Sequence, residues 1–246
     1  MSRTIVWWSS VGPSGIVCKL MLAENPDAII ARCETSNEDE DNYRFEKDVM
    51  KWLNAKVTIL KSDKFDSVQD VWIKRKYMSG IAGAPCTVEM KVAPRLAFQL
   101  PTDIHVFGYT DDSQDIERFE RLKTNYPELN VRAPLIENRI NKASALAMIE
   151  RAGLKLPRSY AMGFPNANCL QTGCVKATSA SYWALLREKF PDRFEKTAKL
   201  SREIGTKLAR VDGERVFIDE IHKDHKTTKP IVPYCDFLCV LAEGSK

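Results

Sequence analysis

No stretch of this 246-residue chain approaches the roughly 20 consecutive apolar residues that cross a bilayer, so a membrane-spanning helix is not expected to organise it. The opening MSRTIVWWSS has too short an apolar segment, cut off by Gly12 and Pro13, to act as a secretory signal; a cytoplasmic protein with no membrane partner is expected. Low-complexity linkers and internal repeats are missing, which leaves a globular chain long enough to bury a full core. Strong charge of one sign is missing as well. A net charge of +4 neither demands nucleic acid as a partner nor excludes it, and the short basic run Lys74, Arg75, Lys76 reads as a solvated face. A reducing compartment removes disulfide formation as the purpose of the seven cysteines, and this raises metal binding or catalysis in its place.

Five of those cysteines stand where a hydrophobic core does not require them. Cys169 and Cys174 lie in GFPNANCLQTGCVK (163–176), where Pro165, Asn166, Asn168 and Gly173 predict an irregular loop whose two thiolates can reach one metal. Cys86 follows the turn-rich GIAGAP, and Cys235 and Cys239 sit in the tail PYCDFLC. Cys18 and Cys33, each alone in its segment, read as small buried hydrophobes. Five candidate thiols for four ligand positions leave one free as a nucleophile, and the spacing suits a closed zinc site as well as an iron–sulfur cluster.

In chain order, the apolar run from Thr4 to Trp8 ends in SSVGPSG, and IVCKLMLAEN then carries helical spacing, which reads as strand, loop, helix. Such a loop directs backbone N–H groups, hydroxyls and the positive end of a helix dipole at one point. Ser9, Ser10, Gly12 and Ser14 are therefore candidates to hold phosphate. A second run, Ala28 to Arg32, leads through Cys33 into Glu34, Thr35 and Ser36, placed to meet a ribose at the end of a strand, and a helix over 38–53 follows. Further strands are expected over 57–60, 104–107 and 131–136, with helices over 68–78, 116–124, 142–152, 181–190 and 193–207 and a late extended segment in GERVFIDEI. Alternation of this kind predicts an α/β fold, a mainly parallel sheet with helices on both faces. Its ligand edge would gather the SSVGPSG, CETS and GYTDDS loops, bringing Gly108 and Tyr109 to the site. The expected division is a nucleotide-binding α/β domain over 1–160 and a cysteine-rich, helical and irregular C-terminal region over 161–246 packed on it.

These loops in this order resemble the adenylyl-sulfate and phosphoadenylyl-sulfate reductase family, within the PP-loop adenine nucleotide α-hydrolase-like group, from about Ile5 to Cys239. PCTVEMKVAP is similar to the family's cysteine, lysine and proline segment. APLIENRINKASALAMIERAGLKLPRSYAMGFPNANC is similar to its passage from the last sheet strand into the cysteine loop, and Cys86 precedes Cys169 by 83 positions, as the two cysteine groups do in iron–sulfur members. The resemblance implies a Rossmann-like sheet, an adenine nucleotide and an enzyme of sulfur metabolism. Within it Lys91 and Arg95 would neutralise sulfate or phosphate charge, and Cys239 or Cys235 would attack as a thiolate. It also implies a 4Fe-4S cluster on Cys86, Cys169, Cys174 and Cys235, with zinc as the alternative, and a thioredoxin-like reductant as partner.

The chain departs from the family pattern at several points. Where the PP-loop reads Ser-Gly-Gly-x-Asp-Ser, Ser9 to Ser14 lack the glycine pair and the aspartate; Thr87 replaces a second cysteine beside Cys86; four residues separate Cys169 from Cys174 where the family has two; and the tail lacks Gly-Leu-His. Two further readings follow. An ATP-dependent thiolation enzyme acting on RNA or DNA is disfavoured by the lost aspartate, because Mg²⁺ on pyrophosphate is held by carboxylates. A non-catalytic nucleotide-binding protein with a structural zinc is the other.

Overall fold

A computed structural model describes residues 2–231 and 233, so Cys235 and Cys239 lie outside the described residues. Five short parallel strands form one sheet in the order β3-β2-β1-β4-β5: β1 (Thr4–Trp7), β2 (Ile29–Cys33), β3 (Val57–Leu60), β4 (Ile104–Val106) and β5 (Asn130–Arg132). In register, Val6 lies between Ile30 and Val106. All three are buried against α1 (Gly12–Glu24), α2 (Glu40–Leu53) and α8 (Lys142–Arg151) through Ile16, Met21, Phe45, Val49 and Ile149. On the other face Trp7 stacks on His105 and donates its indole N–H to His105 Nδ1 at 3.2 Å. The fold is therefore the expected α/β arrangement, a parallel sheet flanked by helices. Among the described residues no helix is long and apolar enough to cross a membrane.

A second apolar cluster forms around Trp72 and Trp183, both fully buried. It unites α3 (Val68–Arg75) with α10 (Ala180–Lys189), α11 (Pro191–Ile204) and the hairpin of β6 (Ala209–Val211) and β7 (Glu214–Val216). The cysteine-bearing region thus shares its core with the crossover between β3 and β4. Each large side chain buried there contributes about 1.5–3 kcal/mol of apolar transfer. A buried carboxylate adds a polar link: Asp39 caps α2, accepting from Asp41 N, and takes a two-point bond from Arg158, at the start of α9 (Arg158–Met162), plus one from Arg193 of α11.

Three elements differ from the sequence expectation, one of them the late extended segment, which is a strand only over Glu214–Val216 and then turns into a 3-10 helix over Ile218–Glu220. The last strand stops at Arg132, not 136, because Pro134 cannot donate to a ladder and instead opens the short α7 (Pro134–Glu137). The α3 helix ends at Arg75 with Lys76 in the left-handed region at φ 48°, three residues before its expected end. In that basic run Lys74 pairs with Asp70 at 2.9 Å and Arg75 with Glu89, as a solvated face does.

Candidate nucleotide site and thiol cavity

The strand order reverses at β1 and β4, so the chains leaving these two strands diverge and open a crevice at their carboxyl ends. A cavity of about 330 Å³ occupies it, walled by Ser9 and Ser10 after β1, Cys33 at the end of β2, and Phe107, Gly108 and Tyr109 after β4. Ser10 is turned into the left-handed region at φ 59°, and its hydroxyl is buried with no partner among the described residues. The α1 helix that follows has no side-chain cap, so its positive end is offered to the same spot.

Other residues of the expected phosphate loop serve the fold. Ser14 is buried and spends its hydroxyl on Val11 O at 2.7 Å, and Gly12 faces α8, where an added Cβ would meet Leu146 Cδ2 at 2.4 Å. Neither lines the cavity. The ribose assignment also needs amending: Glu34 Oε1 accepts from Thr35 N, Ser36 N and the Tyr43 hydroxyl, while Oε2 accepts from Arg32. With both oxygens occupied, Glu34 and Ser36 line a neighbouring shallow depression, and Thr35 turns to the thiol side.

Lys91 and Arg95 reach the cavity from one continuous helical run: α4 (Pro85–Thr87), a π-helical turn (Val88–Val92) and α5 (Ala93–Phe98). Pro94 has no N–H for the Met90 carbonyl and its ring crowds that position, which gives the wider turn a local cause, with Ala93 N bonded to Val88 O. The guanidinium of Arg95 lies over the Tyr126 ring at 5.4 Å, just after α6 (Ser113–Asn125). Lys91 lies between compartments. Burial opposes its charge, but Cys169, Glu38, Cys174 and Cys33 around it outweigh this and raise its pKa.

Beyond Lys91 lies a larger cavity of about 870 Å³ that holds Cys86, Cys169 and Cys174. The cysteine loop is irregular, as expected, and is pinned on several sides. Asn168 Nδ2 donates to Ser9 O at 2.6 Å, Asn42 Nδ2 to Ala167 O at 2.9 Å, and Cys174 N to the Tyr182 hydroxyl at 2.8 Å. Cys169 sits at φ 62° and Gly173 at φ 76°; the latter packs so closely that an added Cβ would come within 2.6 Å of the Trp183 ring. The mutual interaction of the two buried thiols raises the pKa of Cys169 and lowers that of Cys174. Burial raises the pKa of the Cys86 thiol. Among the described residues no three His, Cys, Asp or Glu side chains come together as a ready metal site. The described thiols alone therefore do not make a closed site.

Sequence reasoning missed Cys33, Glu38, Lys142 and Asn168 as cavity residues. Cys33 donates to Lys91 O at 3.4 Å, and buried Glu38 accepts from Asn42 Nδ2 at 2.9 Å, its pKa raised by burial against the pull of Lys91. Lys142 bonds Asn166 Oδ1 at 2.6 Å and so ties α8 to the cysteine loop. Only Asn168, beside Cys169, carried a local signal.

No family model and no curated protein matches the chain. Among solved structures it is similar to the phosphoadenylyl-sulfate (PAPS) reductase of Candida auris in a phosphate complex, with a TM-score of 0.52 and 12% identity over 69% of this chain and 82% of that one. The fold is PAPS reductase-like. At that identity the likeness speaks to the fold alone, the sheet and its helices, while residue roles rest on the geometry above.

Proposed function

We propose that this chain is an adenine-nucleotide-binding enzyme of sulfur metabolism, similar in reaction class to phosphoadenylyl-sulfate and adenylyl-sulfate reductases. The observation that carries the reading is the meeting of two compartments at Lys91: a crevice with a buried serine hydroxyl, without a partner among the described residues, at a helix N-terminus, and a thiol-lined cavity. An adenine nucleotide would lie against Trp7, Phe107 and Tyr109 with its 5′-phosphate at Ser10, its sulfur-bearing end facing the Lys91 ammonium. Lys91 would stabilise the negative charge that grows on the phosphate oxygen as the sulfur–oxygen bond breaks.

In this reading a thiolate attacks the sulfur of the nucleotide-bound sulfate. A sulfur–sulfur bond forms, the sulfur–oxygen bond breaks, and the nucleoside monophosphate leaves with the bridging oxygen. A thioredoxin-like dithiol then attacks the cysteine sulfur, releases sulfite and is itself oxidised. The attacking thiol is assigned to Cys239 or Cys235. Cys169, Cys174 and Cys86 would hold a 4Fe-4S cluster with a tail thiol as fourth ligand, and zinc is the alternative occupant; a cluster there would supply a redox-capable or structural centre beside the nucleotide. ATP-dependent thiolation is the weaker reading, because the PP-loop aspartate is lost and, among the described residues, the cavity carboxylates Glu38 and Asp115 already accept from Asn42 and from Thr110 and Arg118.

Calorimetry with AMP and with adenosine 5′-phosphosulfate tests the reading. Wild type binds both, and Lys91→Met weakens the phosphosulfate by about tenfold or more, the worth of one charge-assisted contact, with a smaller effect on AMP. A wild-type protein that binds neither refutes the assignment. Metal analysis and the absorption spectrum of anaerobically purified protein decide the cofactor: iron and sulfide with a brown colour lost in Cys169→Ser, or a single zinc.

A further inference from the structure

One wall of the molecule lacks the polar surface that its other water-facing helices carry. In the segment 84–100, which holds α4, the π-helical turn and α5, five residues are exposed, Val88, Ala93, Leu96, Ala97 and Leu100, and all five are apolar. Val88 and Leu96 are each 54% exposed, about two turns apart on one helical run. The charged residues of the segment are turned away: Lys91 and Arg95 wall the crevice, and Glu89 is held by Arg75. At one end a turn closed by Gly80 and Gly83, which exchange backbone hydrogen bonds of 3.1 and 2.9 Å, holds Ile81 out in full contact with water. By contrast, the exposed surface of α6 carries Glu117, Arg118, Glu120, Arg121 and Lys123. Single exposed apolar residues are ordinary, but a helix face with no polar residue on it marks a surface that another surface covers.

We infer that this wall is the face through which two copies of the chain form a two-fold symmetric dimer. The inference is independent of the nucleotide reading, since none of these exposed side chains lines the crevice or the thiol cavity. A two-fold contact sets a patch against its own image, and an uncharged patch meets itself without like-charge repulsion. An acidic partner or an anionic lipid surface would call for free cations on the wall, whereas Lys74 and Arg75 beside it are matched by Asp70 and Glu89. The small Ala93 and Ala97, about one turn apart, lower the helix surface between Val88, Leu96 and Leu100, so two such helices can close to about 8–10 Å with their larger side chains interlocked. The run 85–98 is about 20 Å long, and the turn at one end and Leu100 at the other extend the wall to about 30 Å. A patch of that width supplies the roughly 800 Å² per partner that a stable pair buries.

Sedimentation equilibrium of the full chain under reducing conditions tests this. Wild type is a dimer at micromolar concentration, and Leu96→Glu and Val88→Glu, each of which puts a carboxylate into the contact, raise the dissociation constant at least about thirtyfold. Ile59→Glu, at a residue 49% exposed on β3 beside Tyr43 of α2, leaves it unchanged. Positions 88 and 96 face water in the single chain, so both variants keep the circular-dichroism spectrum of wild type. A wild type that stays monomeric at about 100 µM overturns the inference. So does a monomer that co-sediments with phosphatidylglycerol vesicles until Leu96 is replaced, which would give the wall to a lipid surface. A dimer that neither Leu96→Glu nor Val88→Glu weakens overturns it as well, by placing the contact on another face.

Discussion

Replacing Asp39 by Ala is expected to loosen the cysteine-bearing region from the sheet domain, because one buried carboxylate ties three helices. Its side chain is 1% exposed and caps α2, while accepting from Arg158 at 2.8 Å to each oxygen and from Arg193 at 2.8 Å. Loss of the cap costs about 1 kcal/mol. The Arg193 bond, with that side chain 19% exposed, adds about 1.5 kcal/mol as a charge-assisted contact. Arg158 is 43% exposed and solvent screens it, so its share is about 0.5 kcal/mol despite good geometry. The total of about 3 kcal/mol corresponds to a melting point lower by about 6–12 °C for a chain of this size. Asp39→Asn, which keeps an acceptor for the cap, should lose about half as much. Burial opposes ionisation of Asp39, but Arg158 and Arg193 prevail and hold its pKa below the usual carboxylate range. Its stabilisation is thus fully present above about pH 4 and is lost as pH falls through the depressed folded value. Urea unfolding at neutral pH and again below about pH 4 should show the gap between wild type and Asp39→Ala shrinking in acid. A gap under about 1 kcal/mol at neutral pH would refute the argument.

Gly173→Ala should destabilise by about 2–4 kcal/mol in urea unfolding, since the residue sits at φ 76° and the new Cβ would meet both Trp183 and Leu186; a loss below about 1 kcal/mol would mean that the loop relaxes freely. His105 is held neutral, its pKa lowered by burial first and by Arg95 next. The unfolded chain therefore takes up that proton first as pH drops below about 6.5, and stability falls from there. His105→Gln should flatten the decline of the urea midpoint between about pH 7 and about pH 5; an unchanged slope would assign the decline to other groups.

The sequence by itself determined the layered architecture. Strand-like runs alternating with helical spacing leave few packings that bury both faces of a sheet, and the turn formers between them marked which loops reach the ligand edge. It also marked the irregular cysteine loop, because Pro165, Asn166, Asn168 and Gly173 act locally on the backbone. Side-chain roles were a different matter. Nothing local distinguishes Ser10, whose hydroxyl lacks a partner among the described residues, from Ser14, whose hydroxyl is spent on Val11 O, or Glu38 in the crevice from Glu34 tied up by Arg32 and Tyr43. Those fates depend on groups far apart in sequence, such as Asn168 on Ser9 and Tyr126 under Arg95, which meet only when the sheet is assembled. The shared core of the cysteine region and the β3–β4 crossover was hidden for the same reason: apolar periodicity tells a helix which face to bury, and only the tertiary structure decides against what.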